Sequence, residues 1–379
     1  MRIRRLSVGV LSCGGPAARA LRIGPAEAER GLMQAFTLAF RAAALTTVIG
    51  TAVVIAQQPQ PTQAPPPFSV GNPLGLPINP AADGAFNPMS TNVKVYGAIY
   101  SAESCSYDPV RNLIVVPNRS VGQNVQTNNG FVSLINHDGS VHTARWIGVQ
   151  PPGAERTNMK PPLILNEPSG SDIANGMFYV SDRDGGTSPS DPLVAVIRWF
   201  NMTTGAPAGE IRVPRSTGFN DIEVTDEGTI YATQTGTGGP MPDPTTWQVW
   251  KITRDGTASI LIQGAPLRQP NGIAFDPQGN IVVINIGNSD VLTFSPAGQL
   301  IRTETAVQAG NDGLVIMADG TKYVSSVVNG GVSRIRPGQP AELIAQNIPS
   351  PASMCYDAGA NQLVIPMNAN NALAFIPLK

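Results

Sequence analysis

The chain has 379 residues, with 25 Lys and Arg against 26 Asp and Glu and a formal net charge of −1. So even a balance excludes a basic field for gripping nucleic acid and an acidic one for basic partners. Charged residues make up only 13% of the chain, about half the usual share, which argues against a coiled coil or a charge-rich disordered chain. Two His and three Cys exclude a His-rich metal site, a zinc finger or a dense disulfide framework. The 39 Gly and 35 Pro stand beside 42% apolar residues, a composition expected of many turns between short strands around a real core.

In chain order, the first feature is the run AAALTTVIGTAVVIA at 42–56, preceded by Arg41. It is short for a membrane span and the right length for the apolar part of a signal peptide, with Val54 and Ala56 as small residues before a cleavage point. Met33 is read as the working start; a long signal peptide and an uncleaved anchor are the alternatives. The expected division is an N-terminal extension and signal peptide over 1–56, a Pro/Gln-rich linker over 57–85 (QQPQPTQAPPPF and its continuation), and a folded domain over 86–379. Export implies a periplasmic or secreted protein in an oxidising compartment, with no stable membrane insertion after cleavage.

Beyond residue 85 a unit recurs: a short strand, a turn rich in Asp, Asn and Gly, then an apolar strand. Its six copies are AESCSYDPVRNLIVVPN (102–118), PSGSDIANGMFYVSD (168–182), FNDIEVTDEGTIYATQT (219–235), PNGIAFDPQGNIVVINI (270–286), NDGLVIMADGTKYVSSV (311–327) and PASMCYDAGANQLVIPMN (351–368). A period of about 46 residues with four strands per unit predicts an all-β, six-bladed β-propeller. The last copy ends with NALAFIPLK, one strand short. The alternating segment NVKVYGAIY (92–100) is expected to supply the outermost strand of that blade and so hide a sheet edge.

The first strand of each propeller blade lines the central channel, and its starting residue faces the mouth. The positions read this way are Glu103, Ser171 or Asp172, Asn220, Asn271, Asp312 and Ser353. Glu103, Asn220, Asn271 and Asp312 are oxygen donors suited to a hard cation: two carboxylates balance a dication, and two amide carbonyls add neutral oxygens. With no matching His or Cys, zinc and copper are disfavoured and calcium, then magnesium, favoured.

In these four segments, AESCSYDP, FNDIEVTDEG, QPNGIAFDPQGN and NDGLVIMADG, the chain resembles the senescence-marker-protein / gluconolactonase / luciferin-regenerating-enzyme family over about residues 100–379. The resemblance implies a six-bladed propeller with one divalent metal at the channel mouth, acting on a small molecule such as a sugar lactone. It implies that Glu103, Asn271 and Asp312 ligate the metal and that Asp312 is the general base. Asn220 would lie close to the metal and bound substrate, with Asp172 as a second substrate-binding candidate. One departure stands out: family members commonly carry an Arg two residues before the Asn matching Asn220, where this chain has Gly218. The alternative function is a non-catalytic propeller of the NHL type that binds a ligand or protein partner; condensation chemistry of the strictosidine-synthase kind is a third.

Cys105 and Cys355 fall on the channel-lining strands of the first and last copies with opposite strand parity. Facing blades could therefore join them in a disulfide, or both could be small buried hydrophobes. His137 and His142 read as solvated residues, and Trp146, Trp199, Trp247 and Trp250 as packing residues. The long segments 118–130, 148–166, 183–192 and 236–246 are candidates to cap the channel.

Overall fold

The computed structural model describes residues 92–96, 99–119, 128–148, 155–188 and 190–379. The expected signal peptide and the linker over 57–85 lie outside the described residues, as do parts of the long segments 118–130, 148–166 and 183–192.

Six four-stranded antiparallel sheets form the blades, five of them with their strands in sequence order from the channel outward. The first blade comprises Ser106–Asp108, Leu113–Asn118, Phe131–Ile135 and Val141–Ile147. The second is Ser171–Ala174, Met177–Asp184, Val194–Asn201 and Pro207–Val213, and the third Ile222–Val224, Ile230–Gln234, Gln248–Ile252 and Ala258–Gln263. Pro270–Phe275, Ile281–Asn285, Asp290–Phe294 and Leu300–Thr305 make the fourth; Asn311–Ile316, Lys322–Ser326, Gly331–Ile335 and Glu342–Ala345 the fifth. The sixth takes Cys355–Asp357, Gln362–Met367 and Ala372–Pro377 from the C-terminus and Lys94–Tyr96 from the other end of the domain. That N-terminal strand pairs Lys94 with Phe375, Val95 with Ala374 and Tyr96 with Leu373. The ring therefore closes as expected.

The solid apolar runs of the second strands follow from this packing. A blade is covered by a neighbour on both faces, so alternate side chains enter different cores rather than core and solvent. Ile281 and Val283 join the cluster shared with blade three, built on Val249, Ile262 and Leu267. Val282 and Ile284 join the cluster shared with blade five, with Leu314, Val324 and Ile335. Four further clusters fill the remaining junctions between neighbouring blades. Trp250 is buried between blades two and three, against Phe219 at 6.0 Å. The outermost strands are wet: five of the six residues of Leu300–Thr305 are exposed.

The turns behave as the repeat predicts. Gly228, Gly279 and Gly320 adopt positive φ of 82°, 76° and 83°, which the tight hairpins require. Asn112, Asn175 and Asn361 take the left-handed conformation in the other three blades, a residue tolerant of it. Cys105 and Cys355 are disulfide-bonded, with Cα atoms 5.5 Å apart, so the link staples the first blade to the last inside their shared apolar cluster. His137 departs from the solvated reading. Its Nδ1 lies 2.7 Å from a carboxylate oxygen of the fully buried Asp357, and Gln362 Nε2 donates to both the His137 carbonyl and Asp357, tying a surface hairpin of blade one to blade six.

Candidate metal centre at the channel mouth

A cavity of about 1370 Å³ opens at the channel mouth, and Glu103, Asn220, Asn271 and Asp312 all line it. The backbone brings them there by one repeated device. The amide of Asn220 donates to Thr233 O and that of Ser169 to Ser181 O, so each blade's mouth residue pairs with its own second strand. The next residue must pass close to the neighbouring blade. A Cβ on Gly272 would sit 2.6 Å from Asp312 O, and one on Gly313 would sit 2.6 Å from Met354 N. Glycine after Asn271 and after Asp312 is thus what lets three inner strands converge on the axis.

This register corrects two predicted mouth positions, in blades two and six. The mouth position of blade two is Ser169, three residues before Asp172, and Asp172 does not line the cavity. Its carboxylate is instead consumed by backbone, accepting from Ile173 N at 2.7 Å and from Val224 N at 2.8 Å on blade three. Asp221 repeats the clamp one blade on, accepting from Ile222 N at 3.0 Å and Ile273 N at 3.2 Å. Pro168-Ser169-Gly170 aligns with Pro270-Asn271-Gly272, Ser169 standing at the place of Asn271, and that was the available signal. By the same register blade six presents Ala352 rather than Ser353.

The mouth residues carry an unmet demand for positive charge. Asn220 Oδ1, Asn271 Oδ1 and Asp312 Oδ1 are buried and accept no hydrogen bond among the described residues. Such orphans are rare in native structures and call for a partner. The other oxygen of Asp312 lies 3.4 Å from Asn271 Nδ2. Burial, then the negative charges of Glu103 and Asp221, push the Asp312 carboxyl well above its ordinary pKa, while Arg119 pulls it back. Asp221 is pushed up to about 7, chiefly by burial. Glu223 is raised well above the usual range by burial and by the charges of Asp172 and Asp221. Five carboxylates thus gather along the inner strands of blades one, two, three and five, in an environment that favours protons or a cation.

Glu103 is held differently. Its Oε2 lies 3.2 Å from Arg119 Nη1, with both side chains 5% exposed, and also accepts from Asn368 Nδ2. Among the described residues no group of three His, Cys, Asp or Glu side chains has the arrangement of a metal site. The mouth set is two carboxylates and two amides, a composition suited to a hard cation and to no softer one.

Sequence reasoning missed a second arginine. Gly218 leaves a gap where a Cβ would stand 2.2 Å from Arg183 Nε. Arg183, from the second strand of blade two, lies across that glycine and lines the cavity, with Nη1 3.5 Å from Glu167. A guanidinium from another strand therefore occupies the space over position 218. Hydroxyl and amide groups such as Thr217, Thr237, Thr246 and Gln263 share the rest of the wall with Arg215, Ile286 and Val327, and no Trp contributes. The 236–246 segment lends Gly236, Thr237, Thr245 and Thr246 to the rim.

No family model matches the chain, and no curated protein matches it. Solved structures do share its fold. A gluconolactonase from Xanthomonas campestris, described as important in glucose secondary metabolic pathways, is 17% identical with a TM-score of 0.50, the match covering 83% of this chain and 99% of that one. A luciferin-regenerating enzyme is 12% identical with a TM-score of 0.52, covering 76% and 95%. At these identities the likeness is one of fold. It falls on the same group of proteins whose segments the sequence resembles. Among the described residues no helix is long and apolar enough to cross a membrane.

Proposed function

We propose that this protein is an exported, metal-dependent hydrolase of the lactonase type. The observation that carries the reading is the set of unpartnered, buried oxygens of Asn220, Asn271 and Asp312 at a large cavity. Glu103, Asn271 and Asp312 would hold the cation, calcium by preference, with magnesium next. When bound, a dication would polarise a lactone carbonyl and keep Asp312 ionised against the burial that raises its pKa.

The chain's own residues supply the remainder. Asp312 accepts the proton of the attacking water as the water oxygen bonds to the carbonyl carbon. The ring C–O bond then breaks, and the leaving hydroxyl takes the proton back, giving a hydroxy acid. Asn220 orients the substrate beside Asp312. Arg183 donates hydrogen bonds to oxygens at the far end of the substrate, and the Thr and Gln wall suits a polyhydroxylated ligand. The Cys105–Cys355 link supports the periplasmic or secreted location, since such bonds persist in oxidising compartments.

The test is calcium content of the purified protein together with base-uptake assays over a panel of sugar lactones. Stoichiometric calcium and chelator-sensitive turnover are expected. A metal-free chain inert toward the panel would overturn the reading in favour of a non-catalytic binding propeller.

A further inference from the structure

Arg119 has a place in the channel that the hydrolase reading does not use. It follows the second strand of blade one directly and is 5% exposed. A guanidinium so buried ordinarily has most of its five N–H groups satisfied. Here Nε and Nη1 are buried without a hydrogen-bond partner among the described residues. Among the described residues the one charged group within ion-pair distance is Glu103, at 3.2 Å, a contact close enough for Coulomb attraction but not aligned as a hydrogen bond. One fixed positive charge thus already stands against a carboxylate assigned to the cation.

We propose that Arg119 is a resident counter-cation of the mouth, competing with the divalent metal for Glu103 and thereby setting the affinity of the site. The proposal rests on the metal reading above. Its physics is simple. In a low-dielectric channel a unit charge beside that carboxylate cancels part of the field that would draw a dication in. Cation uptake must also either break the Arg119–Glu103 contact or place two positive groups on one carboxylate. Such an arrangement gives a site filled only when the free cation is abundant, as outside the cytoplasm, and leaves the floor with excess positive charge once filled.

The test is calorimetric titration of Ca²⁺ into chelator-stripped wild type, Arg119→Met, Arg119→Gln and Arg119→Lys, with melting curves to confirm folding. Arg119→Met and Arg119→Gln should bind calcium at least tenfold more tightly than wild type, while Arg119→Lys, which keeps the charge, should stay within about threefold. Two neutral variants guard against one failing to fold. Wild type and both neutral variants binding calcium equally well would overturn the proposal and leave the metal reading standing. Weaker binding in the neutral variants would overturn it too, by showing that Arg119 organises the site rather than opposing it. Absence of calcium binding in all four proteins would overturn both readings together.

Discussion

The Arg183 guanidinium lies across the α-carbon of Gly218, in space that any side chain at 218 would claim. The two residues are on different elements and depend on each other: the glycine leaves a gap, and the arginine of the neighbouring strand fills it from the cavity side.

The first prediction follows from that dependence. Arg183→Ala should raise KM for a hydroxylated lactone about tenfold or more with a smaller effect on kcat, because the lost contact is remote from the reacting carbonyl. Gly218→Ala should reproduce the defect without touching Arg183, since its Cβ displaces the guanidinium. Steady-state kinetics of the two variants check this; a Gly218→Ala protein with wild-type KM would count against it.

Asp312 is expected to be needed for turnover and not for folding. Asp312→Asn keeps the shape but removes the proton acceptor and one ligand charge, so hydrolysis should fall by at least a hundredfold. In chelator the variant should melt no lower than wild type, because the buried carboxyl it replaces is crowded by Glu103 and Asp221. Paired activity and melting measurements separate the two effects.

Asp221 gives a pH dependence with a definite sign. Its carboxyl is raised from 3.8 to about 7 in the folded state, so the folded protein holds this proton more tightly than the unfolded chain does. The resulting stability is fully present below about pH 4, declines as the pH rises, and is gone above about pH 7. Asp221→Asn should flatten that decline and be the more stable protein at pH 8 in chelator. Denaturant melts at pH 4, 6 and 8 test it, and parallel curves for the two proteins would contradict the assignment.

The Cys105–Cys355 link closes a loop of 250 residues. Its removal, by reductant or as Cys105→Ser with Cys355→Ser, is expected to cost about 2–5 kcal/mol by freeing the unfolded chain. The ring should still form at room temperature, since the Lys94–Tyr96 strand holds the same blade closed from its outer edge. Thermal unfolding with and without reductant, with thiol counting of the unfolded protein, checks it.

The toroid was legible because its physics is local and repeated. Each hairpin announces itself by a left-handed Gly or Asn, as at Gly279 and Asn361, and each second strand by an apolar run such as Ile281–Ile284. The mouth residues were legible wherever the inner strand opens on a recognisable polar pair, as in Asn271-Gly272 and Asp312-Gly313. Blade two misled, because Asp172 is the conspicuous acid of its segment while Ser169 holds the equivalent place. An acid further along the strand, three residues on at Asp172 or one at Asp221, meets the backbone N–H of the next blade instead of the cavity.

Periodicity along the chain settled the number of blades, the way the ring closes and the kind of atoms offered at its mouth, since each of these depends on neighbours a few residues apart. Folding in three dimensions settled partnerships between residues from separate strands: Arg183 over Gly218, Arg119 against Glu103, His137 beside Asp357. Those contacts are set by the angle and spacing at which blades pack, and no short-range pattern encodes that geometry.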